Sequence, residues 1–140
     1  MIDSNIESCK LNKQTISPSD IWDPKAYGFA HGILVQEGKK MLFLSGQNGI
    51  DKEGKVVSED FESQCNKAYE NIGSIVSAAG GSFTNIVRVT AYVTDIKNSD
   101  AFVKISSKFF KGDLCSQTLI EVRALAFPEL NVELEAIAII

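Results

Sequence analysis

The sequence predicts an α+β domain: a mixed sheet with two helices packed on one face, in the order ββαβαββ. Three observations carry this. Two stretches repeat apolar residues at helical spacing. Between them, Ile86–Thr94 alternates, with Val87, Val89, Ala91 and Val93 on one side and Arg88, Thr90, Tyr92 and Thr94 on the other. Pairs of apolar runs stand before the first helical stretch and after the second.

Residues 1–20 are polar and mixed, without a clear period, and are read as an N-terminal extension. Residues 21–140 are read as a single domain. Within it, the runs His31–Gln36 and Met41–Ser45 flank Glu37-Gly38-Lys39-Lys40, a hairpin signal with glycine at the turn. Asp51–Lys55 marks a further turn. Ser58 is the expected start of the first helix, with Glu59 and Asp60 suiting its positive end. Phe61, Cys65, Ala68, Ile72, Ile75 and Ala79 form its apolar stripe, and Gly80-Gly81 ends it. Asn98 or Ser99 caps the second helix, whose buried side is Phe102, Ile105 and Phe109. Strands follow at about Thr118–Leu125 and Asn131–Ile140, joined through Phe127-Pro128-Glu129. Asp95 reads as a turn residue.

At 140 residues, 44% apolar and 23% charged, the composition is that of an ordinary globular domain. The net charge of −4 and a single adjacent basic pair, Lys39-Lys40, argue against nucleic acid as a partner. No apolar run approaches the roughly 20 residues that span a bilayer. Cys9, Cys65 and Cys115 form no CxxC pair, and without a leader-like segment they point to reduced thiols in a cytoplasm. His31 is the only histidine, so a multi-histidine metal site is excluded; it is read as a surface or interface residue. Cys65 is read as a core thiol and Cys115 as one near a cleft rim.

Two distant segments suggest a polar site built on a sheet. Leu42-Phe43-Leu44 runs into Ser45-Gly46-Gln47, and Glu133 interrupts the apolar strand Val132–Ala138. A carboxylate in such a strand is costly unless paired, protonated or wet. The last strand carries apolar residues on both parities, Ala136 and Ala138 against Ile137 and Ile139. A second apolar sheet face asks for cover, and a homo-oligomer supplies it.

Phe43-Leu44-Ser45-Gly46-Gln47, Asp51 with Gly54, Gln64 and Asn71 open a longer series in which order and spacing are informative. Ala78-Ala79-Gly80, Ile86-Val87, Tyr92-Val93-Thr94-Asp95, Phe109-Phe110, Ile120-Glu121-Val122 and Val132–Ala138 complete it. With these residues, the chain from about Tyr27 to Ile140 resembles the RidA/YjgF family, also called endoribonuclease L-PSP. The resemblance implies a chorismate-mutase-like fold, a homotrimer and a cleft at each subunit interface. It implies hydrolysis of reactive enamines and imines to 2-keto acids and ammonia, with no metal or cofactor. By the same resemblance Glu133 is the candidate catalytic, water-activating residue. Ser45, Gly46, Gln117, Phe29 and Thr118 are the candidate substrate-binding residues.

Two positions depart from the family pattern. Where RidA proper carries a carboxylate-clamping arginine, three residues before its Val-Glu-Val segment, alignment on Ile120-Glu121-Val122 places the neutral Gln117. Where the family often has a tyrosine, Phe29 precedes Gly32. Arg123 lies six residues beyond Gln117, roughly 20 Å along a strand, too far to substitute; Arg88 is on another strand. The sequence therefore predicts a small-molecule site with altered ligand preference. A non-catalytic binding or regulatory trimer is the alternative, and ribonuclease activity is the least favoured reading.

Overall fold

The computed structural model of the chain describes residues 12–16, 25–27, 32–35 and 40–140. Strand β1 (Lys13–Ile16) pairs antiparallel with β2 (Gly32–Val35) in a two-stranded ribbon. The main sheet follows: β3 (Met41–Asn48), β4 (Ile86–Val93), β5 (Ser116–Glu121) and β6 (Val132–Ile139), in the spatial order β3-β6-β4-β5. Its last strand in sequence is therefore internal, antiparallel to both β3 and β4, while β4 and β5 run parallel. Helices α1 (Phe61–Ala78) and α2 (Ser99–Phe110) supply the crossovers and cover one face.

The expected α+β architecture is present: a mixed four-stranded sheet with two helices. Its details differ at four places. The expected hairpin between the runs at 31–36 and 41–45 is replaced: β2 joins β1, and β3 joins β6. The intervening residues 36–39 lie outside the described ones. The α1 cap is Asp60 rather than Ser58. Its carboxylate accepts from the Ser63 amide at 2.9 Å and the Ser63 hydroxyl at 2.8 Å, which lowers its pKa, and Ser58 accepts instead from the Asp60 amide. Strand β5 begins two residues earlier than expected and stops at Glu121, because the parallel ladder to β4 sets its length. Asn98 does precede α2 but makes no side-chain cap bond; Asp95 caps the short 3-10 turn before it, accepting from the Lys97 amide at 2.9 Å.

The core lies between helices and sheet. Cys65, Ala68, Ile72 and Val76 of α1 meet Val89, Ala91 and Val93 of β4 and Val132, Leu134, Ala136 and Ala138 of β6. Tyr69, absent from the expected stripe, is fully buried and stacks on Phe109 at 5.0 Å, with Phe83, Phe102 and Phe110 around it. Truncating such an aromatic costs about 3–5 kcal/mol, so this cluster fixes how α2 sits on the sheet.

Candidate functional site on the open face of the sheet

The face away from the helices carries the polar residues. Along β4 these are Arg88, Thr90 and Tyr92; along β6, Glu133 and Glu135, with the apolar Ile137 beyond them. The β3–β6 ladder slips between Leu44 and Gln47, so Ser45 and Gly46 together oppose Glu135. This bulge leaves backbone groups out of the ladder. It also lets Glu133 lie against β3. A Cβ on Gly46 would fall on the Glu133 carboxylate, 2.8 Å from the carboxyl carbon, so only glycine fits.

Helix α1 braces both strands from behind. Asn71 Nδ2 donates to the carbonyls of Asn48 (3.2 Å) and Ile50 (3.0 Å). The fully buried Gln64 donates to the Ser58 and Glu129 carbonyls, both at 2.8 Å, and accepts from the Asn131 amide at 2.9 Å. One amide side chain thereby ties the loop before α1 to the residue preceding β6.

Next to the bulge is a concavity of about 380 Å³, lined chiefly by Phe43, Arg88, Thr90, Glu135 and Ile137. The parallel register puts Arg88 beside Ser116 and Thr90 beside Thr118. Arg88 Nη1 donates to Ser116 Oγ at 2.9 Å and Nη2 to Thr118 Oγ1 at 2.7 Å. Among the described residues no carboxylate lies within ion-pair distance of Arg88. Tyr92 OH donates to Glu135 at 2.5 Å, and this bond raises the tyrosine pKa.

Gly46 lies against the Glu133 carboxylate, Ser45 precedes it in the bulge, and Thr118 stands on the same face of the sheet. The structure turns Gln117 the other way. The Gln117 amide donates to Tyr69 OH (3.3 Å) and Ser106 Oγ (3.2 Å), both helix residues, so within one protomer Gln117 and Glu133 lie on opposite faces of the sheet. Strand parity decides this: Gln117 is bracketed by the open-face residues Ser116 and Thr118. Phe29, Trp22 and His31 lie outside the described residues. Cys115 is buried, and burial pushes its thiol up to about 12; it is a core thiol, not a reactive rim residue. Cys65 is buried likewise and also raised to about 12. Among the described residues no cluster of His, Cys, Asp or Glu has the makings of a metal site, and no helix is long and apolar enough to cross a membrane.

Sequence reasoning missed Arg88 as a site residue and missed the bracing by Gln64. The alternation of β4 did place Arg88, Thr90 and Tyr92 together. The β4–β5 register that sets Ser116 and Thr118 around the guanidinium has no sequence signal.

The family model described as endoribonuclease L-PSP matches residues 26–140. The chain belongs to this family, the RidA/YjgF proteins. The human 2-iminobutanoate/2-iminopropanoate deaminase is 32% identical over 118 residues, 83% of each chain. A RutC family protein of Pyrococcus abyssi is 33% identical over 117 residues, 82% of this chain and 89% of that one. Among solved structures, a Rid-family protein of unknown function from Yersinia pestis superposes with a TM-score of 0.86 at 27% identity, covering 93% of this chain and all of the other. RidA from an Antarctic Psychrobacter gives a TM-score of 0.69, also at 27% identity, covering 80% and 88%.

Proposed function

We propose that this RidA-family chain binds and hydrolyses a small imine- or enamine-like metabolite, with Glu133 as the water-activating group. The observation that carries the reading is the seating of Glu133 against the glycine of a strand bulge. A carboxylate held beside a strand bulge can take a proton from water as it adds to a C=N carbon. The resulting carbinolamine expels ammonia and leaves a carbonyl. The 32% identity to a protein named as an imine deaminase supports the reaction class.

The working unit is a cytoplasmic homotrimer with clefts between subunits, in which Ser45, Gly46, Phe29 and Thr118 contact the ligand. Apolar exposure on the open face supports an assembly: Met41 is 60% exposed, Phe43 67% and Ile120 41%. A second reading, a binding or regulatory trimer without turnover, draws on Gln117, which is neutral and engaged with the helices.

The test couples a pyridoxal-phosphate serine dehydratase, as a source of 2-aminoacrylate, to a semicarbazide reporter. Faster keto-acid release with this protein, lost on Glu133→Ala, supports hydrolysis. Unchanged release alongside measurable ligand binding supports the binding trimer.

A further inference from the structure

Glu133 shares the open face with a second carboxylate. Glu135 stands two residues on along β6, roughly 7 Å at strand rise. Glu133 lies against Gly46, whereas Glu135 borders the concavity of about 380 Å³ beside the bulge. Tyr92 is the ladder partner of Glu133, and its hydroxyl reaches diagonally to donate to Glu135 Oε1 at 2.5 Å. That bond raises the tyrosine pKa, so the phenol stays protonated and Glu135 stays its acceptor. Glu135 Oε2 has no bond among the described residues. No cation among them lies within ion-pair distance of Glu135. Arg88, which also borders the concavity, is held by Ser116 and Thr118.

A carboxylate at a concavity, with one oxygen oriented and the other unbonded, suits a small cation that carries N–H donors. The imine of the proposed reaction is such a cation once its nitrogen is protonated, and protonation is what makes its carbon a strong electrophile. Two carboxyl groups roughly 6.5–9.5 Å apart leave room for a water beside the reacting carbon, and the spacing along β6 falls in that range. One carboxylate can therefore serve the water while the other serves the nitrogen.

We propose that Glu135, oriented by Tyr92, is a second catalytic residue: it holds the nitrogen of a protonated imine while Glu133 handles the protons of the water. This rests on the hydrolytic reading of Glu133 and names its substrate as the iminium cation. Water oxygen bonds to the imine carbon, its proton passes to Glu133, and the C=N pair moves onto nitrogen, giving a neutral carbinolamine. Glu133 hands that proton to the nitrogen. The C–N bond then breaks with its pair on nitrogen, the carbinol proton passes to Glu133, and the carbonyl forms. Ammonia takes this last proton and leaves as ammonium. Glu135 accepts from the nitrogen's N–H groups throughout and is not consumed. Tyr92 is a positioning residue, acting through Glu135.

The experiment pairs a binding readout with turnover, on the full chain in its native assembly, with sedimentation of every variant. Calorimetry compares propionamidine, a planar cation of iminium shape, with the neutral propionamide. The expected result is at least about tenfold tighter binding of the amidine. Glu135→Gln, which can still accept from Tyr92, abolishes that preference with the assembly intact; Glu135→Asp restores part of it, and Tyr92→Phe weakens it about threefold. In the 2-aminoacrylate assay, kcat/KM falls at least about tenfold in Glu135→Gln and recovers partly in Glu135→Asp. Equal binding of amidine and amide, or a preference that survives in Glu135→Gln, overturns the proposal. So does a Glu135→Gln protein that dissociates, since Glu135 would then serve the subunit contact. Imine turnover that is lost in Glu133→Gln but unchanged in Glu135→Gln overturns this role and leaves hydrolysis standing. An amidine preference that depends on Glu135, in a protein without turnover, supports the cation site and removes hydrolysis alone.

Discussion

The carboxylate of Glu133 occupies the space that a side chain on Gly46 would need. The two residues are 87 positions apart in sequence. They meet because β3 bulges at Ser45-Gly46 where it pairs with β6. The site is thus a property of strand pairing, and the glycine and the glutamate form one unit.

Gly46→Ala should damage function more than folding. The added methyl displaces the carboxylate rather than a core side chain. Overpacking costs about 1–3 kcal/mol, whereas misplacing a catalytic group by about 1 Å can cost roughly 100-fold in rate. Urea unfolding and imine turnover, measured on the same preparation, should show this split. Glu133→Gln, which fits the same space, should keep stability and lose about 100- to 10,000-fold in turnover.

Gln117→Arg should not create a carboxylate clamp in the protomer. It would drive a cation towards the fully buried Tyr69 hydroxyl and Ser106, where no anion waits among the described residues. An unpaired charge placed there destabilises by about 3–5 kcal/mol. A lowered urea midpoint with no gain in binding of a 2-keto acid is the expected outcome.

Cys65 and Cys115 should be silent towards thiol reagents at pH 8, because burial raises both to about 12 and keeps them protonated. In a Cys9→Ser chain, Ellman's reagent should detect essentially no rapid thiol until denaturant is added, and then two per chain.

Asp60 contributes to the acid limb of stability. Its folded pKa lies below the ordinary 3.8, through its bonds to Ser63. The stabilisation is therefore full above 3.8 and is lost as the pH falls through the folded value. Thermal melts from pH 6 to pH 2 should fall less steeply for Asp60→Ala than for the parent, the two curves converging at the acid end.

Much of this architecture was legible because two periods, 3.6 and 2, are written plainly into α1, α2 and β4. Pairing was less so. The runs around Val35 and Met41 look like a hairpin locally, yet β3 gains more by lying beside β6, where Leu44 faces the core opposite Ala136. The site divided along the same line. Ser45, Gly46 and Glu133 could be named from residue type and resemblance, whereas Gln117 could be named but not oriented, since an error of one residue in face reverses its meaning. Arg88 was weighed only as a stand-in for the missing arginine, because its distinction lies in two hydroxyls on another strand. Gln64 was named only as one of the residues of the family resemblance; the tertiary fold shows that it carries three backbone hydrogen bonds in the interior.

The place of β6 between β3 and β4 has a consequence for biosynthesis. Before residues 132–139 have left the ribosome, β3 has no partner in its sheet and β4 is paired on one edge only, while Ala136 and Leu134 are missing from beneath α1. The nascent chain up to that point holds two half-sheets with apolar flanks, a species suited to chaperone capture. Nicking or shortening within those eight residues removes the keystone rather than an edge, and should send the chain to proteolysis instead of yielding a trimmed domain.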